Sequence, residues 1–504
     1  MNYILGIDLG TTALKVSLFD EEGRLLALST KEYKLLTPST LAVELEVGTY
    51  WNAFREGIAE VFKSTKISPE KIKALGISAQ GETLILIDKD GRPLRNAIVW
   101  LDNRAQEEAE ILAKEFGHQA SHKITGQVKI VPTWPASKIF WIKHNEKDVF
   151  RRVHKYLLIE DYFIYRLTGR FVAEGSLLCS TVYWNITTKK WWPEMLKFLG
   201  VLPEQLPEIK ESGEAVGEIL SDVASELGLS SKTVVATGAL DQAAGAIGVG
   251  NIRPGIISEN TGAALAICAT MEKPFFDSEG KMPCHYHGMP DTYMAHTFTS
   301  GGMVLKWFRD GFCQTESQTA SLAGFDAYDL LGKEAETVPA GSEGLVMLPH
   351  LTGAMAPEAN PKAKGVFYGF TLRHTKPYFI RAIMEAIACI MKRNIDTLEE
   401  LGIKVNEIRS LGGGSRSGLW NQIKADLTKR PVLTMENEEA ACLGAAILAG
   451  VAVGMFKSLE EACRKMAVVK ERFEPDSSNF KVYTKTYEDY VKLYGDLCDL
   501  FSKG

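Results

Sequence analysis

Cysteine is sparse in this chain and follows no pattern. Eight thiols are spread over 504 residues, none in a Cys-x-x-Cys spacing. That points to reduced thiols rather than a disulfide framework. Cys284, His285 and His287 stand close together, but their spacing matches no structural zinc pattern and no second cysteine pair lies nearby. A surplus of positive charge is also missing. Lys and Arg number 57 against 63 Asp and Glu, a net charge of −6, so there is no basic footprint for nucleic acid. No apolar run reaches membrane-spanning length. The first residues run directly into a strand pattern rather than the charged, apolar, small-residue order of a signal peptide. These absences predict a cytoplasmic protein with neither nucleic acid nor membrane as a partner. Two familiar nucleotide motifs are absent too. Gly332-Lys333 is followed by Glu334, which breaks the P-loop ending, and no Gly-x-Gly-x-x-Gly follows a strand.

What is present is an ordinary globular composition, 45% hydrophobic and 24% charged, in a chain long enough for two large domains or more. The N-terminus carries the most informative stretch. Tyr3 to Ile7 is an apolar run that stops at Asp8, with Gly10, Thr11 and Thr12 close behind, and Leu14 to Phe19 alternates again. This predicts strand, tight turn, strand. Amides in such a turn form an anion-binding nest. A carboxylate at the same turn suits a phosphate that carries Mg²⁺, a hard cation that prefers oxygen ligands. The bland alternative is an ordinary hairpin, since Asp, Gly and Thr favour turns in any case.

Two further strands deliver polar clusters. Ile72 to Ser78 runs into Gln80, Gly81, Glu82 and Thr83, and Ala97 to Trp100 runs into Asp102, Asn103 and Arg104. Ligands collect at such strand ends in α/β proteins. An aromatic ring with a carboxylate and an Arg suits a polyhydroxylated ligand. Residues 105–230 read as mostly helical. Thr233 to Thr237 is a strand that enters Gly238-Ala-Leu-Asp241-Gln242 and then a helix of very small residues. Asp241 at that junction is a candidate general base or a helix N-cap, and the two roles are compatible.

Near residue 250 the pattern restarts. Ile256 to Asn260, Thr261-Gly262 and Ala263 to Ile267 repeat the opening strand, turn and strand. A duplicated half is expected, with a domain boundary near residue 250. Later, Gly412-Gly413-Gly414 enters a helix through Ser415 to Ser417, as where backbone approaches a flat or anionic ligand.

In combination, Ile7-Asp-Leu-Gly-Thr-Thr12, Leu240-Asp-Gln242, Thr261-Gly262 and Gly412-Gly-Gly414 resemble the FGGY carbohydrate kinases. Thr125-Gly126, Pro135-Ala-Ser-Lys138 before Trp141, and Asn360 to Gly369 are similar to the xylulose kinases of that family. The resemblance implies an α/β fold of two ribonuclease H-like domains, shared with actin, hexokinase and the heat-shock chaperone ATPases, with a cleft between them. Residues 1–250 would hold the sugar and 251–504 the nucleotide. It implies ATP and Mg²⁺ as cofactors and a small-molecule sugar as substrate, and leaves a homodimer open. Asp241 would be the catalytic base with Gln242 beside the sugar. Asp8 would lie near Mg²⁺, and Gly10, Thr11, Thr12 and Lys15 around the phosphates. Thr261, Gly262, Gly301, Gly302, Gly413, Gly414 and Ser417 would hold the nucleotide from the second half. Gln80, Glu82, Trp100 and Asp102 would hold the sugar.

The substrate motif departs from both better-known patterns. Xylulose kinases usually carry Met-His after the strand at 72–78, whereas this chain has Gln80-Gly81-Glu82-Thr83. Glycerol kinases carry Gln-Arg-Glu-Thr, and Gly81 here removes that Arg and is expected to leave a space. The expectation is a ketose such as a pentulose, with glycerol, another polyol, a hexulose or a sugar acid as alternatives. A filament-forming or chaperone-like ATPase is the remote one.

Overall fold

The structure is a computed structural model that describes residues 2–503. It divides into two compact units. One contains residues 1–252, 270–294 and 439–468, the other 253–269, 295–438 and 469–504. The expected division at 1–250 and 251–504 is a single cut in sequence. By contacts, residues 270–294 and 439–468 also cluster with the first unit; the latter stretch contains helix Ala440–Ala452, which packs its small residues against that unit's sheet.

The sheet of the first unit runs Ala215–Glu218, Val234–Ala236, Ile72–Ala79, Tyr3–Leu9, Ala13–Phe19, Leu25–Glu32. Tyr3–Leu9 and Ala13–Phe19 form the expected antiparallel hairpin, with Asp8 opposite Lys15. Tyr3–Leu9 also pairs in parallel with Ile72–Ala79, which sets Asp8 level with Ser78. Ala239–Leu240 lies parallel to the end of that same strand. Asp8, Ser78 and Asp241 are thereby delivered together at the carboxyl ends of three neighbouring parallel strands.

The bodies of Tyr3–Leu9 and Ile72–Ala79 are mostly apolar because both faces of the sheet are covered. Helix Val47–Thr65 packs on the face of Val16, and helix Ala440–Ala452 on the opposite face, that of Gly6. The second contact is backbone to backbone. A Cβ on Gly6 would lie 2.0 Å from Cys442 O, and one on Gly76 2.1 Å from Ala445 O. Helix Asp241–Gly248 crosses the same helix as closely, with 1.8 Å between an added Gly444 Cβ and Ala244 O.

Residues 105–230 contain more strand than expected. Helices such as Pro135–Asn145 and Ile159–Thr168 alternate with strands Lys155–Leu158, Val172–Glu174, Glu208–Lys210 and Ala215–Glu218. Strands of three or four residues are too short to show a period of two.

The second unit repeats the plan. Beyond an edge strand Cys284–Tyr286, its sheet runs Tyr293–Ser300, Ala264–Met271, Gly255–Thr261, Val405–Leu411, Val432–Met435, Val469–Phe473. The hairpin Gly255–Thr261/Ala264–Met271 is antiparallel, its first strand is parallel to Val405–Leu411, and the edge strand Val469–Phe473 is antiparallel. This is the order and direction of the first unit's strands. Among the described residues no helix is long and apolar enough to cross a membrane.

Overpacking a closed core costs about 1–3 kcal/mol, and more where backbone must move. Gly444→Ala should therefore lower the urea unfolding midpoint, followed by circular dichroism, by the equivalent of at least about 1 kcal/mol. Gly495→Ala meets nothing within 4 Å on helix Phe480–Lys503 and should be neutral or mildly stabilising. Equal midpoints for the two variants would contradict the backbone contact.

Candidate active site

In the first unit the site is built on the three strand ends. Asp8 is partly buried, and Ser78 Oγ donates to its Oδ1 at 2.9 Å. Burial raises the Asp8 pKa, while Ser78 and the Lys15 ammonium pull it down. Lys15 pairs with Glu439, the residue that precedes helix Ala440–Ala452. The turn Gly10–Thr12 is held from several sides. Tyr33 OH and Gln80 Nε2 both donate to Gly10 O, and Trp100 Nε1 donates to Thr11 Oγ1 at 2.8 Å. Thr12 is exposed at the tip.

Asp241 is the first residue of helix Asp241–Gly248, and its own Oδ1 accepts from Gln242 N at 2.7 Å. Its pKa is pushed up to about 7, by burial first and then by the negative charge of Asp8, with a smaller push from Glu82. A carboxylate with that affinity for a proton suits general-base work near neutrality.

The loop Gln80–Thr83 lies beside it. Gln80 is buried, donating to Gly10 O and to Tyr50 OH at 3.2 Å. Glu82 adopts a left-handed backbone, φ 57°, and burial raises its pKa against the pull of Ser180 and Lys138. The expected space at Gly81 is not there. The residue is buried, and a Cβ on it would sit 3.0 Å from Leu240 Cδ1 and 3.5 Å from Ser180 Oγ. The Leu240 side chain packs directly against this position.

Asp102 is fully buried, and its carboxylate is occupied within the chain. It accepts from Val43 N at 2.6 Å and from Arg104 through N, Nε and Nη2. Arg104 also pairs with Glu44. The Trp100–Arg104 stretch is thus a braced loop in which Trp100 faces Thr11 of the Gly10–Thr12 turn, while Asp102 serves the brace. Cys284, His285 and His287 are buried, and burial pushes the His287 pKa down to about 4, so its ring is neutral.

In the second unit three loops converge on the turn Thr261–Gly262. Gly302 N donates to Gly262 O at 2.8 Å and Met303 N to Ala263 O at 3.0 Å. Gly414 packs so closely that a Cβ would lie 2.6 Å from Thr261 Cβ, and Gly301 is equally tight against Ala264. Gly413 is exposed with open space around it. Ser417 caps helix Gly418–Thr428, its Oγ accepting from Trp420 N. Beneath the turn, Glu259 accepts from Thr261 Oγ1, Ser410 Oγ and the buried Lys424 ammonium. Thr261, Gly262, Gly301, Gly302 and Gly414 are therefore gathered at one point. Sequence reasoning missed Ser78, Glu439, Glu259 and Lys424. Their pairings join distant parts of the chain, and nothing in the local pattern signals them.

Residues 3–248 match the model of the FGGY family of carbohydrate kinases, N-terminal domain, and residues 266–453 that of its C-terminal domain. The chain belongs to the FGGY family of carbohydrate kinases, and it is an ATP-dependent sugar kinase. It is similar to the xylulose kinase of Bacillus subtilis (strain 168), with 31% identity over 501 residues, 99% of this chain and 98% of that protein. The gluconokinase of the same organism is 32% identical over 494 residues, covering 98% and 95%. Among solved structures, a ligand-bound xylulose kinase from Lactobacillus acidophilus superposes with a TM-score of 0.89 at 29% identity over the full length of both chains. A Plasmodium falciparum glycerol kinase with ADP reaches 0.87 at 22% identity, covers 98% of each chain and shares the fold.

The Asp241 pKa carries a stability prediction. Folding raises it from 3.8 to about 7. Between those values the folded state keeps a proton that the unfolded chain has released, so this group's stabilising contribution is present below about pH 4 and is lost as pH rises to about 7. Asp241→Asn removes that dependence. Its Tm should exceed that of the wild type by more at about pH 8 than at about pH 5. A Tm difference independent of pH would contradict the raised pKa.

Proposed function

We propose that this kinase phosphorylates a neutral ketose, a pentulose such as D-xylulose, with Asp241 as general base. The observation that carries the reading is the Asp241 carboxylate at a strand end, partly buried beside Asp8 and Glu82, with its pKa lifted to about 7. The attacking group would be a primary hydroxyl, which needs a proton acceptor as it attacks. General-base help is worth roughly 10²–10⁴ in rate.

Asp8 is our candidate for Mg²⁺. Its negative charge is one cause of the raised Asp241 pKa, so a divalent cation there would relieve an excess of negative charge. Among the described residues no cluster of three or more His, Cys, Asp or Glu could hold a metal ion alone. Mg²⁺ is commonly held by one or two carboxylates together with substrate phosphates and water, and Asp8 would supply one such carboxylate. When bound, it would neutralise charge on the phosphate oxygens. Gly10, Thr11, Thr12 and Lys15 in the first unit are assigned to the phosphates. Thr261, Gly262, Gly301, Gly302, Gly413, Gly414 and Ser417 in the second are assigned to the nucleotide.

The choice of sugar rests on charge. Asp8, Glu82 and Asp241 put three carboxyl groups at the strand ends. Among the described residues of the first unit, the cations near them are engaged: Arg104 by Asp102 and Glu44, Lys15 by Glu439, and Lys138 by two backbone carbonyls. A sugar acid would bring a further negative charge without a free cation to meet it. Glycerol would find Leu240 beside Gly81 in place of a long donor. One unpaired buried polar group costs about 1–3 kcal/mol, a factor of about ten or more. A ketose would place its hydroxyls toward Gln80, Glu82 and Gln242 and its carbon face on Trp100. D-gluconate is the second reading, favoured by the identity to gluconokinase.

Initial rates of ADP release with D-xylulose, D- and L-ribulose, hexuloses, D-gluconate and glycerol test this. At least one ketose should exceed both gluconate and glycerol in kcat/KM by about tenfold. Gluconate or glycerol as the best substrate would overturn it. With the preferred sugar, Asp241→Asn should lose at least about 10²-fold in kcat while binding of both substrates persists.

A further inference from the structure

The stretch Pro135-Ala-Ser-Lys138 has no task in the account so far, and the structure gives Lys138 an unusual position. It lies on helix Pro135–Asn145 with 0% of its surface exposed. Its Nζ donates to two backbone carbonyls, Glu82 O at 2.9 Å and Val99 O at 3.1 Å. One carbonyl belongs to the loop of Gln80 and Glu82, and the other precedes Trp100.

A buried charge without an ion pair is expensive, and a Met at this position would fill similar space without that cost. Lysine is therefore unexplained by packing alone. The turn it holds is itself strained. Thr83 N donates to Gly81 O at 2.7 Å, closing a three-residue turn around Glu82, whose φ of 57° is uncommon for a residue with a side chain. The two loops are further joined where Thr83 Oγ1 accepts from Trp100 N at 3.3 Å. One turn along the same helix, the Trp141 ring lies 4.9 Å beneath the Arg104 guanidinium, which braces Asp102.

We propose that Lys138 is a positioning residue. Its buried ammonium clamps the Gln80–Glu82 and Trp100–Asp102 loops in one arrangement and so sets the affinity of the sugar subsite. This rests on the assignment of those loops to the sugar. Glu82, Asp102 and Arg104 are the charged groups that act on the ammonium, and burial pushes its pKa down to about 7. Lys138 itself makes no bond to the Gly10–Thr12 turn or to Asp241. Gln80 and Trp100 of the clamped loops hydrogen-bond Gly10 and Thr11, so loss of the clamp bears first on the loops assigned to the sugar and reaches that turn only through those two bonds.

Lys138→Met tests this, with two readouts. Amide hydrogen exchange of the full chain without substrates should rise at least about tenfold at residues 80–84 and 99–104, while strand Tyr3–Leu9 keeps its protection. On the sugar the wild type prefers in the panel of D-xylulose, D-ribulose, D-gluconate and glycerol, KM should rise about tenfold or more, with KM for ATP within about twofold. Unchanged exchange in both loops, or an unchanged sugar KM, overturns the clamp. Equal rises in the KM for sugar and ATP also overturn it, because they would mark a general structural loss. If exchange rises but the wild type phosphorylates none of these compounds, nor L-ribulose or a hexulose, the sugar assignment fails and the clamp on the loops stands. Should Lys138→Met not fold, Lys138→Gln, which keeps an N–H donor, takes its place with the same readouts.

Discussion

The active-site geometry depends on one contact: the backbone of helix Ala440–Ala452 seated directly on the sheet of the first unit. Gly6 and Gly76 leave no room for a side chain beneath Cys442 and Ala445, and Gly444 leaves none against Ala244. Interiors are close-packed and transmit strain, so this seating fixes the level of strands Tyr3–Leu9 and Ile72–Ala79 and the start of helix Asp241–Gly248. Asp8, Ser78 and Asp241 stand at the ends of those elements. The same helix is preceded by Glu439, which holds the Lys15 ammonium near Asp8. One packing contact thus positions both the candidate base and the cation beside the candidate metal residue.

Charge then follows from position. Burial raises the pKa of Asp8, Glu82 and Asp241 alike, and at Asp241 the negative charges of Asp8 and Glu82 add to it. The arrangement gives Asp241 its appetite for a proton near neutrality and makes the surroundings hospitable to a divalent cation and a neutral polyol. The second unit uses the same strand plan for another end. Its turn at Thr261–Gly262 is lined by glycines rather than carboxylates, and its buried ion pair, Lys424 with Glu259, lies beneath the turn rather than facing a ligand.

Much of this was legible in the sequence. The break at Asp8-Leu-Gly-Thr-Thr predicted a strand-turn-strand with a polar tip, and Asp241 stood visibly where a strand met a helix of small residues. The repeated pattern after residue 250 anticipated the shared strand order. What could not be read was pairing at a distance. Glu439 meets a lysine 424 positions away, and no local pattern announces that. Asp102 was expected to hold the sugar, and turn chemistry is silent on the bonds its carboxylate makes with Val43 and Arg104. The absence of a side chain at Gly81 suggests space, whereas Leu240, 159 positions on, packs against it. Lys138 was noticed as a motif and not as a buried cation, since burial of a lysine runs against its usual habit.

The claim at the centre of the account is that burial and the neighbouring Asp8 turn one carboxylate into a base suited to neutral pH. The direct measurement is a ¹³C NMR titration of the protein labelled at its aspartate carboxyl carbons, with the Asp241 signal assigned by its absence from Asp241→Asn. A midpoint near pH 7 that falls in Asp8→Asn is the result predicted by the causes of the shift. A midpoint below about pH 5, in the ordinary range for an aspartate, would contradict it.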